Sequence, residues 1–260
     1  MFAQWNAGRA VKNSILRDLS SSDFSCIRPF LEPVRLNRNF IVQEPNRRPE
    51  YVTFIESGIV SMKTLTAGSI LEAAFVGCQG AVDLSVALQA GETPVHRSIV
   101  LVAGTALRIR TGDLQNVIRE RPQIREHLLH HIKSLVIHCS QTALCGVRHS
   151  LEQRLACWLS LVCEALDSDN IAITHCHISM NLGFRRAGIT EALARFEQQG
   201  LLRKTRGMLQ VRDRRSLQDR ACGCYEVIAQ AYDCAGLRKS VISEVQRQRH
   251  SHFGDGELRL

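Results

Sequence analysis

Basic side chains recur at close spacing in one stretch of this sequence. Between Gly183 and Arg215 there are nine Lys or Arg against three Asp or Glu, so this segment carries +6 of the chain's formal net charge of +8. Guanidinium and ammonium groups bind phosphate oxygens, and one guanidinium can donate two hydrogen bonds to the edge of a guanine. The chemistry that this spacing indicates is therefore recognition of a nucleic acid.

The apolar residues of the same stretch predict the elements that position these side chains. Thr174 is a good N-cap for a first helix, and Gly183 suits the sharp turn that would end it. A second helix should begin near Arg185 and end at Gly200, and two short strands, 201–203 and 208–211, should flank a basic hairpin tip. The second helix has apolar residues at helical spacing, namely Ile189, Ala192, Leu193 and Phe196.

The opposite face of the second helix carries long or polar side chains. A helix fits the major groove of DNA, and basic groups at its N-terminal end and on a neighbouring hairpin can hold phosphates. An ordinary helical hairpin with a solvated basic surface is the alternative. The predicted DNA-binding residues are Thr174, His175, Arg185, Arg186, Thr190, Glu191, Arg195, Lys204 and Arg206.

Length and composition are those of a globular protein, with 260 residues, 45% hydrophobic and 22% charged. No apolar run has membrane-spanning length, and the first residues lack the apolar stretch of a secretion signal, so we expect a cytoplasmic protein without a membrane partner. No Gly-rich phosphate loop, HExxH motif or nucleophile elbow is present. We therefore expect no catalytic residues and no enzyme.

The cysteines and histidines predict no metal site. The ten cysteines include no Cys-x-x-Cys pair, so we interpret them as small buried hydrophobes in a reducing compartment. Cys222-x-Cys224 comes nearest to a pair and is a candidate thiol switch. Four histidines, His127, His130, His131 and His138, fall on one long predicted helix, where we expect them to be solvated because nothing completes a ligand set.

The periodicity elsewhere predicts an α+β fold. Short apolar runs between residues 34 and 113, punctuated by glycines such as Gly58 and Gly104, favour an antiparallel β-sandwich or roll. A long helix then runs from Pro122 to about Cys145. Its heptad-like stripe suits packing against a partner helix or against the β domain of the same chain. A second stripe could pack against whichever of the two the first does not. The first stripe is Leu128, Ile132, Leu135, Cys139, Thr142 and Gly146; the second is Leu129, Val136 and Ala143.

Four short motifs together resemble the CRP/FNR superfamily of bacterial transcription regulators, over about residues 10–230. They are ESGIVS at 56–61, RLAxWL at 154–159, Ile173-Thr174 followed by GFRR at 183–186, and ExxGLL at 197–202. The resemblance implies an N-terminal antiparallel β-roll (a jelly roll like cyclic-nucleotide-binding domains), a long dimerisation helix and a C-terminal winged helix-turn-helix. The implied divisions are 1–121 for the sensor, 122–147 for the dimerisation helix, 148–225 for the DNA-binding domain, and 226–260 for a C-terminal helix with a polar tail.

The resemblance also implies partners and roles. A homodimer would set two recognition helices on a pseudo-palindromic double-stranded operator, with RNA polymerase as a further partner if the protein activates transcription. Arg185 and Arg186 would begin the recognition helix, while Thr174 and His175 would lie at the phosphate backbone. The family's base-reading Arg, Glu and Arg match Arg186, Ala187 and Glu191 here, so the operator should differ. Glu191 could accept from a cytosine or pair with Arg195.

The ligand segment departs from the family pattern. Gly77-Cys78-Gln79-Gly80 stands where cyclic-nucleotide binders carry a Gly-Glu segment, and no glutamate is in place. Arg97 and Ser98 match the Arg-Ser pair for the cyclic phosphate and are the predicted ligand-binding residues. We expect no cofactor, with a cyclic nucleotide, or a haem on His96 and Cys78, left open. The competing function is a small-ligand sensor or interaction module without specific DNA readout.

Overall fold

The computed structural model describes residues 11–66, 69–88 and 93–233 and has the mixed helix-and-strand architecture that the sequence predicts. The helices are α1 (Ser14–Arg17), α2 (Ser21–Ile27), α3 (Leu84–Leu88), α4 (Thr111–Glu120), α5 (Pro122–Arg148), α6 (Leu151–Leu166), α7 (His175–Leu182), α8 (Arg186–Gln198), α9 (Arg214–Asp219) and α10 (Cys224–Tyr232), with a 3-10 turn at Arg28–Phe30. The strands are β1 (Glu32–Leu36), β2 (Ile41–Gln43), β3 (Tyr51–Thr66), β4 (Ser69–Val76), β5 (Ala81–Val82), β6 (Arg97–Arg110), β7 (Asn170–Ile171), β8 (Leu202–Thr205) and β9 (Met208–Val211).

Strands β1 to β6 form one antiparallel sheet in the order β1-β6-β3-β4, with β2 added to β6 and β5 to β3. Neighbouring residues of a strand point to opposite faces, and both faces of this sheet are covered. Phe54 and Ile109 pack in a cluster with α1, α2, α4 and the start of α5, whereas Ile55 and Val100 pack in a second cluster. This arrangement matches the predicted β-roll.

Two glycines lie inside long strands instead of ending short ones. The expectation that Gly58 and Gly104 separate strands was wrong, because β3 and β6 run through them with irregular register between Ile55 and Val60. Gly58 has φ +86°, and a Cβ at Gly104 would lie 2.0 Å from the carbonyl oxygen of Ser57. Only glycine lets the two backbones pass this closely, so these residues permit a bulge that bends the sheet.

Helix α5 buries one face within its own chain. Leu128, in the first predicted stripe, is fully buried against the β-roll, so at that position the stripe packs internally and not against a partner helix. The prediction of solvated histidines was wrong for His131 and His138, since burial leaves them 5% and 3% exposed and lowers the pKa of each to about 4. His138 Nδ1 lies 3.2 Å from the Tyr232 hydroxyl on α10.

The C-terminal unit has a separate apolar core. Ser150 and Gln153 form a capping box that starts α6, and α7, α8 and the small β7-β9-β8 sheet pack around that helix. After the hairpin the chain forms two short helices, α9 and α10, separated by residues 220–223. The polar tail expected at the end of 226–260 lies outside the described residues. Nowhere in the described ranges is a helix both long and apolar enough to cross a bilayer.

The two units pack directly on one another through β4 and α6. The Trp158 indole Nε1 donates a hydrogen bond to Glu72 Oε1 at 2.7 Å, and the Cys78 backbone N–H donates to the Ala165 carbonyl at 3.1 Å. A Cβ at Gly77 would lie 2.5 Å from that same carbonyl oxygen, so glycine is needed for the approach. Glu72 also accepts from the Ser61 hydroxyl, and its burial raises its pKa to about 7.

The raised pKa of Glu72 predicts a pH-dependent stability. The pKa of about 7 in the folded protein lies above the ordinary glutamate value of 4.5. The stability that the protonated carboxyl contributes is therefore complete below about pH 4.5 and is lost as pH rises to about 7. The free energy of unfolding of the Glu72→Gln variant, compared with that of wild type at the same pH, should therefore increase as pH rises, by up to about 3 kcal/mol. Urea unfolding of both proteins between pH 5 and 8 measures the difference.

The comparison with wild type removes the other titrations. His131 and His138 have lowered pKa values and act in the opposite direction, because they lose stability as pH falls below about 6.5. Their contribution is common to both proteins and cancels in the difference. A difference that stays constant across this pH range would show that Glu72 does not titrate between folded and unfolded states.

Candidate nucleic-acid interface

The turn between α7 and α8 is held by glycine and by an arginine from α6. Gly183 adopts φ +71°, the left-handed conformation that ends α7. Arg154 Nη2 donates a hydrogen bond to the Leu182 carbonyl at 2.7 Å, and its guanidinium lies 4.4 Å from the centroid of the Phe184 ring. The position of α8 relative to α7 therefore depends on Arg154, a role that the sequence motif around it did not reveal.

Helix α8 has the predicted two faces. The apolar stripe is completely buried, which fixes the rotation of the helix on its domain and turns the opposite face to solvent. The buried residues are Ile189, Ala192, Leu193 and Phe196. The exposed residues include Arg185, Arg186, Thr190, Glu191 and Arg195, all predicted to contact DNA.

Two of the predicted residues on α7 are tied into the helix pair. Thr174 is the N-cap of α7 and accepts from the His177 backbone N–H, while its hydroxyl is also 2.6 Å from His177 Nδ1. His175 Nδ1 lies 3.0 Å from the Thr190 hydroxyl on α8. Burial, together with the cations Lys204 and Arg186, lowers the pKa of His175, so the imidazole is neutral at pH 7. Thr174 therefore serves as the N-cap of α7. The contact between His175 and Thr190 joins the start of α7 to the exposed face of α8.

The cations of this face fall into two groups. Arg195 pairs with Glu152 at 2.5 Å, not with Glu191, and Lys204 Nζ pairs with Glu197 at 2.9 Å. By contrast, in the described part of the chain Arg185 and Arg186 make no ion pair with a carboxylate. The start of α8 therefore offers guanidinium groups that a ligand can use without displacing a carboxylate.

The hairpin of β8 and β9 extends beside α8. Its strands pair from Leu202 opposite Val211 to Thr205 opposite Met208, and Gly207 turns the tip with φ +74°. Arg206 is exposed at this tip. Lys204 is instead half-buried, and its backbone N–H lowers the pKa of Glu197 by donating a hydrogen bond to that carboxylate. Of the two predicted hairpin contacts, Arg206 is the freer.

The predicted ligand residues lie at the start of β6, on the β-roll. Arg97 Nε donates to Glu44 Oε2 at 2.7 Å, and Ser98 is 2% exposed. An anion would have to displace Glu44 from Arg97 in order to bind there. The roles of Arg97 and Ser98 stay a prediction.

A cavity of about 980 Å³ lies between the sheet and the C-terminal unit. Its walls include Glu72 and Trp158 from the junction, and Asn181 from α7. Asn181 is 3% exposed, and neither polar atom of its side chain has a hydrogen-bond partner in the structure. A buried amide without partners is costly, so this wall has unused capacity to bind a polar group.

The structure also groups cysteines that the sequence analysis treated separately. Cys145, His149, Cys222 and Cys224 place their side-chain donor atoms within 4.8 Å of one another. The lack of a Cys-x-x-Cys pair therefore does not exclude a ligand set that is assembled from distant parts of the chain, and the absence of a metal site stays a prediction. The two halves of the set are more than seventy residues apart in sequence, and only the packing of α10 on α5 brings them together.

Comparison with known proteins agrees with this geometry. Residues 153–220 match the family model of the Crp-like helix-turn-helix domain. FixK2 from Bradyrhizobium japonicum superposes with a TM-score of 0.64 at 17% identity, covering 74% of this chain and 98% of that one. A CRP/FNR-family regulator from Eubacterium rectale gives 0.59 at 18% identity, covering 80% and 98%. One from Thermus thermophilus gives 0.59 at 16% identity, covering 73% and 98%.

A search of curated protein sequences finds no match. The identities to the solved structures are low, so these superpositions establish the fold, while the family model identifies the segment that contains α7, the turn and α8. Residues 153–220 therefore form a Crp-like helix-turn-helix domain, and the described part of the chain has the fold of the CRP/FNR transcription regulators.

Proposed function

We propose that the protein is a homodimeric, sequence-specific DNA-binding transcription regulator that acts on a pseudo-palindromic operator and responds to a signal at its β-roll. In this proposal residues 1–121 sense, 122–147 dimerise and 148–225 read DNA. The observation that carries it is the start of α8. There Arg185 and Arg186 are exposed and form no ion pair with a carboxylate of the described residues, while the apolar stripe behind them is fully buried.

Arg186 is the residue that we expect to read a base. It occupies the first turn of α8, and helix-turn-helix proteins insert that end of the recognition helix into the major groove. A guanidinium there can donate two hydrogen bonds to guanine O6 and N7. Arg206, exposed at the hairpin tip, suits a phosphate contact that carries no sequence information.

Dimerisation is supported by a face of α5 that carries apolar residues and that the described residues leave uncovered. Leu129, Val136 and Val147 are 39%, 59% and 83% exposed. With Lys133, Ser140 and Ala143 they form a seam at steps of four and three residues, which is the heptad spacing of a two-helix coiled coil. We define these six residues as the α5 seam. A second copy of the same helix is the occupant that fits such a self-complementary stripe.

The junction between the units supports control by a signal. A small ligand in the cavity beside Glu72 and Asn181 would touch both the β-roll and the helix pair that carries α8. Such a ligand shifts the protein between two states only by binding them unequally. If the protein activates transcription, RNA polymerase is the further partner that we propose.

Replacing Arg186 by Ala should weaken binding to the cognate operator by about 1–3 kcal/mol and relax the preference at one base pair of each half-site. Arg206→Ala should instead weaken binding to all sequences alike and reduce the salt dependence by about one counterion. Fluorescence anisotropy with an operator selected from random duplexes, at several salt concentrations, measures both effects.

Arg119→Ala is the matched control, because Arg119 is an exposed arginine on α4, a helix that packs on α2, α3, α5 and the large sheet. Its operator affinity should equal that of wild type. If Arg186→Ala and Arg206→Ala lost affinity equally on cognate and random DNA, the assignment of Arg186 to base reading would be wrong. A wild-type protein that binds cognate and random DNA with equal affinity would favour the alternative of a sensor without specific DNA readout.

Replacing Val136 by Arg should convert the dimer into a monomer. Symmetry in a parallel pair places each copy of residue 136 next to its mate, so two guanidinium groups would meet in an apolar seam. Light scattering after size exclusion should give twice 29.1 kDa for wild type and 29.1 kDa for the variant. The variant's unfolding temperature extrapolated to low concentration should stay near that of wild type, because Val136 is exposed within one chain.

Val95→Arg serves as the control for this experiment. Val95 is 69% exposed but lies outside α5, so the substitution adds the same charge without touching the α5 seam. It should leave the dimer intact. A Val136→Arg protein that still runs as a dimer would place the interface elsewhere.

A further inference from the structure

A cluster of sulfur and nitrogen donors lies at the end of α5, outside the DNA-binding face. Cys145 and His149 are four residues apart, which places both on one side of the last turn and the C-cap of that helix. Cys222 and Cys224 flank Gly223 at the start of α10. The Cys145 and Cys222 sulfurs are 3.4 Å apart, and Cys224 Sγ is 3.6 Å from His149 Nδ1.

These distances are those between ligands of one metal ion. Ligands at the corners of a tetrahedron around zinc, with Zn–S bonds of about 2.3 Å, lie about 3.7 Å apart. All four donor atoms here lie within 4.8 Å of one another, so they surround a single centre. Cys222 and Cys224 are buried, and the three sulfurs are free thiols.

The donor set selects the ion. Three thiolates and one imidazole form the Cys3His set that closed, structural zinc sites use, without a vacant position for a substrate. Thiolate ligands also disfavour magnesium, calcium and manganese, which prefer oxygen. The four donor atoms all lie close together, which suits a site for a single metal ion. The cysteines of an iron–sulfur cluster are instead spread around several iron atoms.

We propose that Cys145, His149, Cys222 and Cys224 bind one Zn²⁺ ion that joins the end of α5 to the start of α10. His149 is the residue at which the chain leaves α5 and turns toward α6, so the ion would hold this junction. Helix α6 connects this same junction to the rest of the winged helix. Zinc would therefore fix the long helix relative to the DNA-binding domain.

Cys157 on α6 is the competing ligand. It is within hydrogen-bond reach of both Cys145 and Cys222, but it does not belong to the set of four mutually close donors. Its thiol would then lie beside the site and not on the ion. A disulfide between Cys145 and Cys222 is the other chemistry that their proximity allows, and it would remove two of the four ligands.

The direct test is the metal content of the full chain, purified under reducing conditions without chelator. Elemental mass spectrometry should find one zinc per chain. After removal of zinc by a chelator, titration with Co²⁺ should saturate at one equivalent, with the strong visible absorption of a tetrahedral ion and a sulfur-to-cobalt charge-transfer band. Chelation should also lower the unfolding temperature, because a metal that binds only the folded state stabilises it.

Single substitutions assign the ligands. Cys222→Ser, Cys224→Ser and His149→Ala should each weaken Co²⁺ binding by at least about tenfold. Cys157→Ser should keep it. Cys139→Ser is the matched control, because Cys139 lies on the same helix outside the cluster, and it should bind like wild type.

Several results would overturn the site. These are a folded wild type that takes up no Co²⁺, a Cys145–Cys222 disulfide in protein purified with reductant, or loss of the ion in Cys157→Ser but not in His149→Ala. The wild-type titration needs no variant, so a substitution that unfolds the chain does not hide the answer. Metal content is also read without DNA, so failure of operator binding would leave this inference standing.

Discussion

The buried hydrogen bond from Trp158 to Glu72 joins the two halves of this protein. A carboxyl group placed in an apolar junction is costly unless its acceptors are used, and here the indole and the Ser61 hydroxyl use them. Phe75 packs edge-on against the Trp158 ring, with ring centroids 6.0 Å apart, so the polar contact is embedded in apolar packing. The sheet and the helix that supports the DNA-binding unit are therefore held in one defined arrangement. A change on the sheet side of this contact alters the environment of α6 directly.

Different faces of helix α5 contact the β-roll, the solvent and the start of α10. Its N-terminal half completes the core of the β-roll through Leu128, and buried histidines continue that inward face toward α10. The α5 seam points away from both units and stays exposed. The last turn carries Cys145 and His149 to the start of α10. One helix thus connects the β-roll, the proposed self-association face and the proposed zinc site, and a rotation of this helix would change all three.

The proposed DNA-facing surface combines two kinds of cation. Arg195 and Lys204 are paired with carboxylates of their own domain, so they contribute to the shape of the surface and little net charge. Arg185 and Arg186 lack such partners in the described ranges and keep their donors available. Residues of the same type therefore differ in role because of their neighbours. The cations with carboxylate partners therefore shape the surface, whereas Arg185 and Arg186 are the ones proposed to contact DNA.

The α+β fold and the two faces of α8 could be predicted from the amino-acid sequence, because both follow from local spacing. The buried stripe through Phe196, the N-cap at Thr174 and the glycine turn at Gly183 are each visible within a few residues. Contacts between residues that are far apart in sequence could not be predicted in this way. Folding buries His131 and His138 against the sheet and α10, carries β3 and β6 through their glycines, and brings the four proposed metal ligands together. Periodicity describes one element at a time, whereas these contacts depend on how distant elements pack.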